Sequence, residues 1–346
     1  MFKRLLGLTC CLLMFWPWQA QAVGPKPEPL QEDEAALLGM YASNGVGFAL
    51  REDNGQLAVL YPNLRSSAAE DKIGKDSILP LKKEHYDAYT LLQTKSPFFE
   101  GDTLSFERNN QGQGISVKIG DMNYNRRFTG NDIGKPFRIA MEKPFNVLRE
   151  EAKKALVPNK PYTMTADLVE LRLYIPHLYY DLRYTTDNNL FGAPLVQSQN
   201  AYLDKVATIA LGKVQDRLQS FGYGLVIWEA YRSWEDFKVA TLALGEKNKN
   251  MLPKASEGYS HDTGRSIDVS LYDLATNKQL GMPCDFDEIT PAQYSDYLGG
   301  TALQRWYRDL LKEQMEAEGF TQSKDEWWHF DYNSKVSYKL LNVVVK

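Results

Sequence analysis

The sequence predicts an α+β protein in two parts: a small antiparallel β unit, then a domain that mixes helices with strands. Three observations carry this. Asp53-Asn54-Gly55 stands between Gly47-Phe48-Ala49-Leu50 and Leu57-Ala58-Val59-Leu60-Tyr61. Asn-Gly between apolar runs signals a hairpin, because both residues accept positive φ. Apolar residues alternate at Leu104 and Phe106, then at Ile115, Val117 and Ile119, around Asn109-Asn110-Gln111-Gly112. Further on, Leu203, Val206, Ile209, Ala210, Val214 and Leu218 recur at helical spacing until Gly222 and Gly224 stop the run.

The chain has 346 residues, 43% hydrophobic and 24% charged, which suits a globular protein with room for two domains. Lys3 and Arg4 precede an uncharged, mostly apolar run from Leu5 to Trp18, followed by Ala20-Gln21-Ala22. This is the pattern of a secretory signal over residues 1–22, cut after Ala22. Pro17, Gln19 and Gln21 hold the apolar run below the roughly 20 residues a membrane span needs. The mature protein is therefore expected in the periplasm or outside the cell, with no span. Loss of Lys3 and Arg4 takes the net charge from −4 to −6, and loss of Cys10 and Cys11 leaves Cys284 alone, without an internal disulfide. An acidic chain with no basic block has no electrostatic footprint for nucleic acid.

Residues 23–36 contain three prolines and are expected to form a linker. Residues 37–157 carry the hairpin signals; their rhythm resembles that of lipocalin-like β modules appended to some bacterial hydrolases. Val157-Pro158-Asn159-Lys160-Pro161 marks the expected boundary, and residues 162–346 form the second domain. There, Gly224-Leu225-Val226-Ile227-Trp228 is expected as a buried strand, Ser233 as the cap of a helix running to about Gly245, and Ala302 to Glu318 as a helix ended by Gly319.

Two of the four histidines have unusual settings. In Ser260-His261-Asp262-Thr263-Gly264-Arg265-Ser266-Ile267-Asp268, residues alternate from Arg265 onward, so Asp268 lies on the polar face of a strand whose other face carries Ile267, Val269 and Leu271. Gly264 permits a tight turn that would fold His261 back beside Asp268. In Asp325-Glu326-Trp327-Trp328-His329-Phe330, a carboxylate and an imidazole are set among aromatics. Two imidazoles and one carboxylate form a common ligand set for catalytic zinc. A further carboxylate must then move protons, and Glu326 is placed for that work. Each motif alone also fits plain packing, since a histidine near aromatics is more often packed than ligating. Glu326 and His329, three apart, would also face opposite ways on a regular strand, so Glu326 must sit on a bend before the strand.

His261-x-x-Gly264-x-x-x-Asp268 followed by Glu326-Trp327-Trp328-His329 resembles the D-alanyl-D-alanine dipeptidase family of zinc peptidases. That family shares a small α+β fold with zinc D,D-carboxypeptidases and the hedgehog signalling domain. The likeness continues, in order, through Asp181-Leu182-Arg183-Tyr184, Asn188-Asn189-Leu190-Phe191-Gly192, Trp228-Glu229-Ala230-Tyr231-Arg232 and Met282-Pro283-Cys284-Asp285-Phe286-Asp287. It covers roughly residues 165 to 335 and leaves the β unit outside.

The resemblance implies one zinc per chain on His261, Asp268 and His329, with Glu326 as general base. It implies that Arg232 stabilises the oxyanion, that Asp287 binds the substrate ammonium, and that Tyr184 lines that end. The alternative for Arg232 is a structural ion pair, for example with Glu229; its place in the family pattern favours catalysis. The family's serine two residues before the first histidine is Tyr259 here, leaving Ser260 as the nearest hydroxyl for the substrate carboxylate. Pro283 replaces a glycine and Leu190 a phenylalanine, which leaves the identity of the dipeptide open. The expected partner is a small dipeptide. A D,D-carboxypeptidase or cell-wall endopeptidase of the same fold is the alternative within the enzymes, and a non-catalytic metal-retaining module is the alternative outside them. Asp287 argues against the first and Glu326 against the second.

Overall fold

The computed structural model describes residues 23–61, 78–92, 98–128, 136–159, 161–162, 164–248, 260–333 and 335–345. The expected signal at 1–22 lies outside these residues, as do Tyr259 and the side chain of Ser260. No helix among the described residues is long and apolar enough to cross a membrane.

A short helix, α1 (Glu32–Ala35), leads into eight strands: β1 (Met40–Ser43), β2 (Val46–Asp53), β3 (Gln56–Leu60), β4 (Ile78–His85), β5 (Ala88–Leu91), β6 (Thr103–Arg108), β7 (Gly114–Ile119) and β8 (Met122–Arg127). Each pairs antiparallel with the next, and β8 closes on β1, giving an up-and-down barrel. Asn54 and Gly55 take φ of 50° and 80° in the β2–β3 turn, as the Asn-Gly signal requires. The lumen is filled. Phe48 meets Tyr41, Phe98 and Tyr124 at ring separations of 5.7, 5.6 and 5.3 Å, and buried leucines and valines occupy the rest. Alternation along the strands thus makes a packed core and not a container.

The second core begins earlier than the Pro-rich boundary signal. Helix α2 (Phe145–Ala152) buries Phe145, Leu148 and Ala152 against the core of the second domain, with Phe145 against Phe191 at 5.4 Å. Their spacing of three and four is helical, and it was hidden by the prolines downstream, which only redirect the chain. The expected linker is also docked in part. The backbone N–H of Val23 donates to Glu313, Trp306 donates to the Gly24 carbonyl, and Lys26 donates to Tyr223.

Next come β9 (Leu168–Glu170), β10 (Tyr179–Tyr180), β11 (Tyr202–Asp204), α3 (Lys205–Gln219), β12 (Tyr223–Glu229), α4 (Trp234–Asn248), β13 (Ser266–Asp273), β14 (Lys278–Gln279), α5 (Ala302–Ala317), β15 (Phe320–Gln322) and β16 (His329–Tyr332). The main sheet runs β10-β12-β13-β16-β15, with β14 on β13 and a separate β9–β11 pair. Strand β12 is buried throughout, flanked by α3 through Leu211, Val214 and Leu218. Ser233 caps α4 by accepting from the Asp236 N–H at 3.1 Å, and the chain kinks at Gly245. Thr301 and Gln304 form a capping box on α5.

The barrel is fastened to the second domain at the β2–β3 end. Glu52, fully buried, accepts from the N–H groups of Gly55 at 2.7 Å and Ala302 at 2.8 Å, the latter at the start of α5. Arg305 donates back to the Glu52 carbonyl and to Asp53 at 2.7 and 2.6 Å, and Arg51 donates to the Leu298 carbonyl.

Candidate active site

Strands β12, β13 and β16 line up the site. Across them, Asp268 pairs with Glu229 on one side and with His329 on the other. A register shift between Ile227 and Glu229 marks an irregularity in β12, and such bulges re-aim a side chain. His261 enters from the turn Ser260–Thr263. Gly264 closes that turn with φ of 74°, a left-handed conformation that favours glycine, and a Cβ there would stand 2.5 Å from a terminal methyl of Leu168.

His261 Nε2, His329 Nδ1 and Asp268 Oδ1 converge. The two imidazole nitrogens are 3.2 Å apart, and they stand 3.3 and 2.8 Å from the carboxylate oxygen. All three residues are buried. Their outer atoms are already committed. His261 Nδ1 meets the Ala230 carbonyl at 2.6 Å, which can only accept, so Nδ1 donates there and Nε2 is turned toward the cluster. His329 Nε2 meets Asp331 at 3.3 Å, and Ser266 donates to the same Asp331 oxygen. Each histidine thus has the outer partner that metal-ligating imidazoles use to fix the tautomer.

The local charges follow from this crowding. Burial resists ionisation of Asp268, but His261 and His329 outweigh it and hold the carboxyl well below its usual range. Burial also resists charging His329, yet its hydrogen bonds to Asp268 and Asp331 hold its pKa well above the ordinary value.

Two imidazole nitrogens and a carboxylate oxygen crowded this closely require a proton or a cation among them. The donor set suits zinc: two ligand atoms about 2.05 Å from a tetrahedral ion are about 3.3 Å apart, close to two of the three separations found.

Glu326 sits in the turn before β16, with the His329 N–H donating to its carbonyl at 3.3 Å, so the spacing of three does not set them on opposite faces. Burial pushes its pKa up to about 7, with Asp268 adding to the rise and His329, His261 and Arg232 opposing it. Trp327 and Trp328 behind it pack on Trp228 and Phe286, at 5.4 Å for Trp228–Trp327 and 5.9 Å for Phe286–Trp328. Arg232 pairs with Glu229 at 3.0 Å and lies 4.7 Å over the Tyr184 ring. Arg232 is thus ion-paired with Glu229, and the pair faces the cluster, since Glu229 Oε2 is 3.8 Å from His261 Nε2.

Tyr184 donates to Asp287 Oδ2 at 2.6 Å. Asp287 takes φ of 53°, uncommon outside glycine, and burial raises its pKa well above the usual carboxylate range. The loop carrying it is held by Arg183, which donates to both oxygens of Asp285. The sequence reading missed Asp331 as the outer partner of His329. Its signal was present: Asp331 follows His329 by two on one strand face.

A family model described as D-ala-D-ala dipeptidase, in peptidase family M15, matches residues 164–344. The chain belongs to that family. It is therefore an enzyme, a peptidase. A D-alanyl-D-alanine dipeptidase of Escherichia coli is 31% identical over 177 residues, covering 51% of this chain and 90% of the relative. One from Enterococcus faecalis is 28% identical over 169 residues, covering 44% and 84%. One from Streptomyces coelicolor is 26% identical over 189 residues, covering 48% and 92%. A solved LD-carboxypeptidase, LdcB, aligns with 56% of this chain and 80% of its own at 20% identity and a TM-score of 0.32, too distant to bear on the fold. The family match begins after the barrel ends.

Proposed function

We propose that this chain is a zinc dipeptidase that hydrolyses D-alanyl-D-alanine or a similar dipeptide with free termini. The observation that carries the reading is the convergence of His261, Asp268 and His329, with both imidazoles oriented by outer partners. These residues would hold one zinc ion, which when bound acidifies a water and polarises the scissile carbonyl.

The remaining work falls to the chain's own groups. Glu326 takes the proton of the attacking water on its carboxylate and passes it to the leaving nitrogen as the C–N bond breaks. A pKa raised toward 7 by burial suits both halves of that transfer. Arg232, braced by Glu229, presents fixed positive charge where the carbonyl oxygen becomes negative. Glu229 is engaged by Arg232, which leaves Glu326 as the carboxylate for proton transfer. Asp287 receives the substrate ammonium, with Tyr184 orienting it. Burial holds the Asp287 carboxyl above its usual range, so it ionises beside a cation; a free amine supplies that cation and a blocked peptide does not. This supports the dipeptidase over a carboxypeptidase or endopeptidase, and a base beside the cluster argues against simple metal storage. The fold reading that accompanies the proposal is the small α+β scaffold of zinc D,D-peptidases and the hedgehog domain.

The test is metal analysis of the purified protein followed by kcat/KM for D-Ala-D-Ala and N-acetyl-D-Ala-D-Ala. About one zinc per chain and a strong preference for the free dipeptide are expected. Equal or faster cleavage of the acetylated substrate would overturn the dipeptidase reading in favour of a carboxypeptidase.

A further inference from the structure

We infer that the barrel is a positioning element for the substrate's ammonium end, acting through Glu52, the first turn of α5 and Gln304 on the loop that carries Asp287. The inference rests on the proposed role of Asp287.

The linkage can be followed atom by atom. Glu52, on the barrel and fully buried, accepts from the Ala302 N–H at the start of α5. Two residues on, Gln304 uses its two side-chain ends differently. Its Oε1 accepts from the Thr301 N–H at 2.8 Å, completing the capping box, while its Nε2 donates to the Met282 carbonyl at 3.2 Å. Met282 opens the loop that ends in Asp287. Arg305, the next residue of α5, returns to the barrel through Glu52 and Asp53.

The loop buries Met282, Cys284 and Phe286 in the core of the second domain, but its back borders open space. Met282, Cys284 and Glu288 face Leu38, Met40 and Arg127 of the barrel side across a cleft of about 250 Å³. A backbone beside such a space is free to shift unless tied, whereas a close-packed wall would hold it. On its other side the loop is tied by Arg183 to Asp285 and by Tyr184 to Asp287. Gln304 is thus a tie on the barrel side, and the left-handed backbone of Asp287 is held by ties of this kind. Glu52 and Gln304 are positioning residues, since neither touches the metal cluster.

The test uses Gln304→Glu in the full chain. Glutamate is as good a capping-box residue as glutamine, so the α5 cap survives, but it cannot donate to the Met282 carbonyl. The expected result is a rise in KM for D-Ala-D-Ala of roughly 2- to 12-fold, the range set by one neutral hydrogen bond, with kcat within about twofold and zinc content unchanged. Glu52→Gln should move KM in the same direction. The double variant should show no more than the larger single effect, because both lie on one path. An unchanged KM, a fall in kcat alone as partial unfolding would give, or multiplying effects in the double variant would overturn the inference. The unmodified enzyme with the acetylated dipeptide is the separate control: if it cuts that substrate as fast as the free one, the reading of Asp287 fails first.

Discussion

Glu326→Gln should make the metal-free protein more stable at pH 8 while disabling the enzyme. The reasoning starts from the burial that pushes Glu326 up to about 7, against 4.5 for an ordinary glutamate. Between those values the unfolded chain has released the proton and the folded chain still holds it. Folding therefore loses stability as pH rises from about 4.5 to about 7, and the full penalty is present at pH 8. At 1.36 kcal/mol per unit, the shift corresponds to about 3 kcal/mol, and partial exposure of Glu326 reduces this to about 2. Glutamine has the same shape and no charge to desolvate. Urea denaturation of the metal-stripped variant at pH 8 should give a gain of about 2 kcal/mol that disappears near pH 4.5. The zinc-loaded variant should lose about 10²- to 10⁴-fold in kcat, the usual worth of a general base. Equal or lower stability of the variant at pH 8 would refute the claim that this carboxylate is held against its preference.

Replacing His261 or His329 by Ala should abolish zinc binding, and Asp331→Asn should weaken it about 10- to 100-fold by equilibrium dialysis, as loss of an outer hydrogen bond does. Asp287→Asn should lower kcat/KM for D-Ala-D-Ala about 10- to 100-fold while changing N-acetyl-D-Ala-D-Ala much less, since only the free amine loses a charged partner. Arg232→Ala should lower kcat by about 10²- to 10³-fold with zinc retained. Intact mass of protein from its native host should show a chain beginning after Ala22, and one beginning at Met1 would refute the signal reading.

Much of this was legible in the sequence where local chemistry decides the structure. Asn54-Gly55 dictates its turn, and the alternation around Asp268 dictates which side chains share its face. Ser233 and Thr301 stand where caps must stand. What escaped was decided over distance. Nothing near Phe145 says that its helix packs on α4, because that depends on a partner some ninety residues away. Glu52 is spelled as one more acid near a polar turn, and only the docked barrel makes it an acceptor for the Ala302 N–H at the start of α5. Closure of β8 onto β1 is likewise a property of the whole barrel, whose hairpins could have formed an open sheet. The outer partners of the histidines fall between these cases. Asp331 follows from strand periodicity, whereas the Ala230 carbonyl is backbone and has no signature in residue type.

Cys284 gives the chain a built-in clock. It is the one thiol among the described residues, and it lies buried in the wall between the barrel-side cleft and a second cleft lined by Arg183, Trp228 and Ser270. Burial raises its pKa well above that of a free thiol, so a labelling reagent should react slowly with the folded chain. Faster labelling is therefore expected wherever the Met282–Asp287 segment is loosened. A substrate that seats its amine on Asp287 would slow that clock, and the slowing would report occupancy even in a variant that no longer turns over.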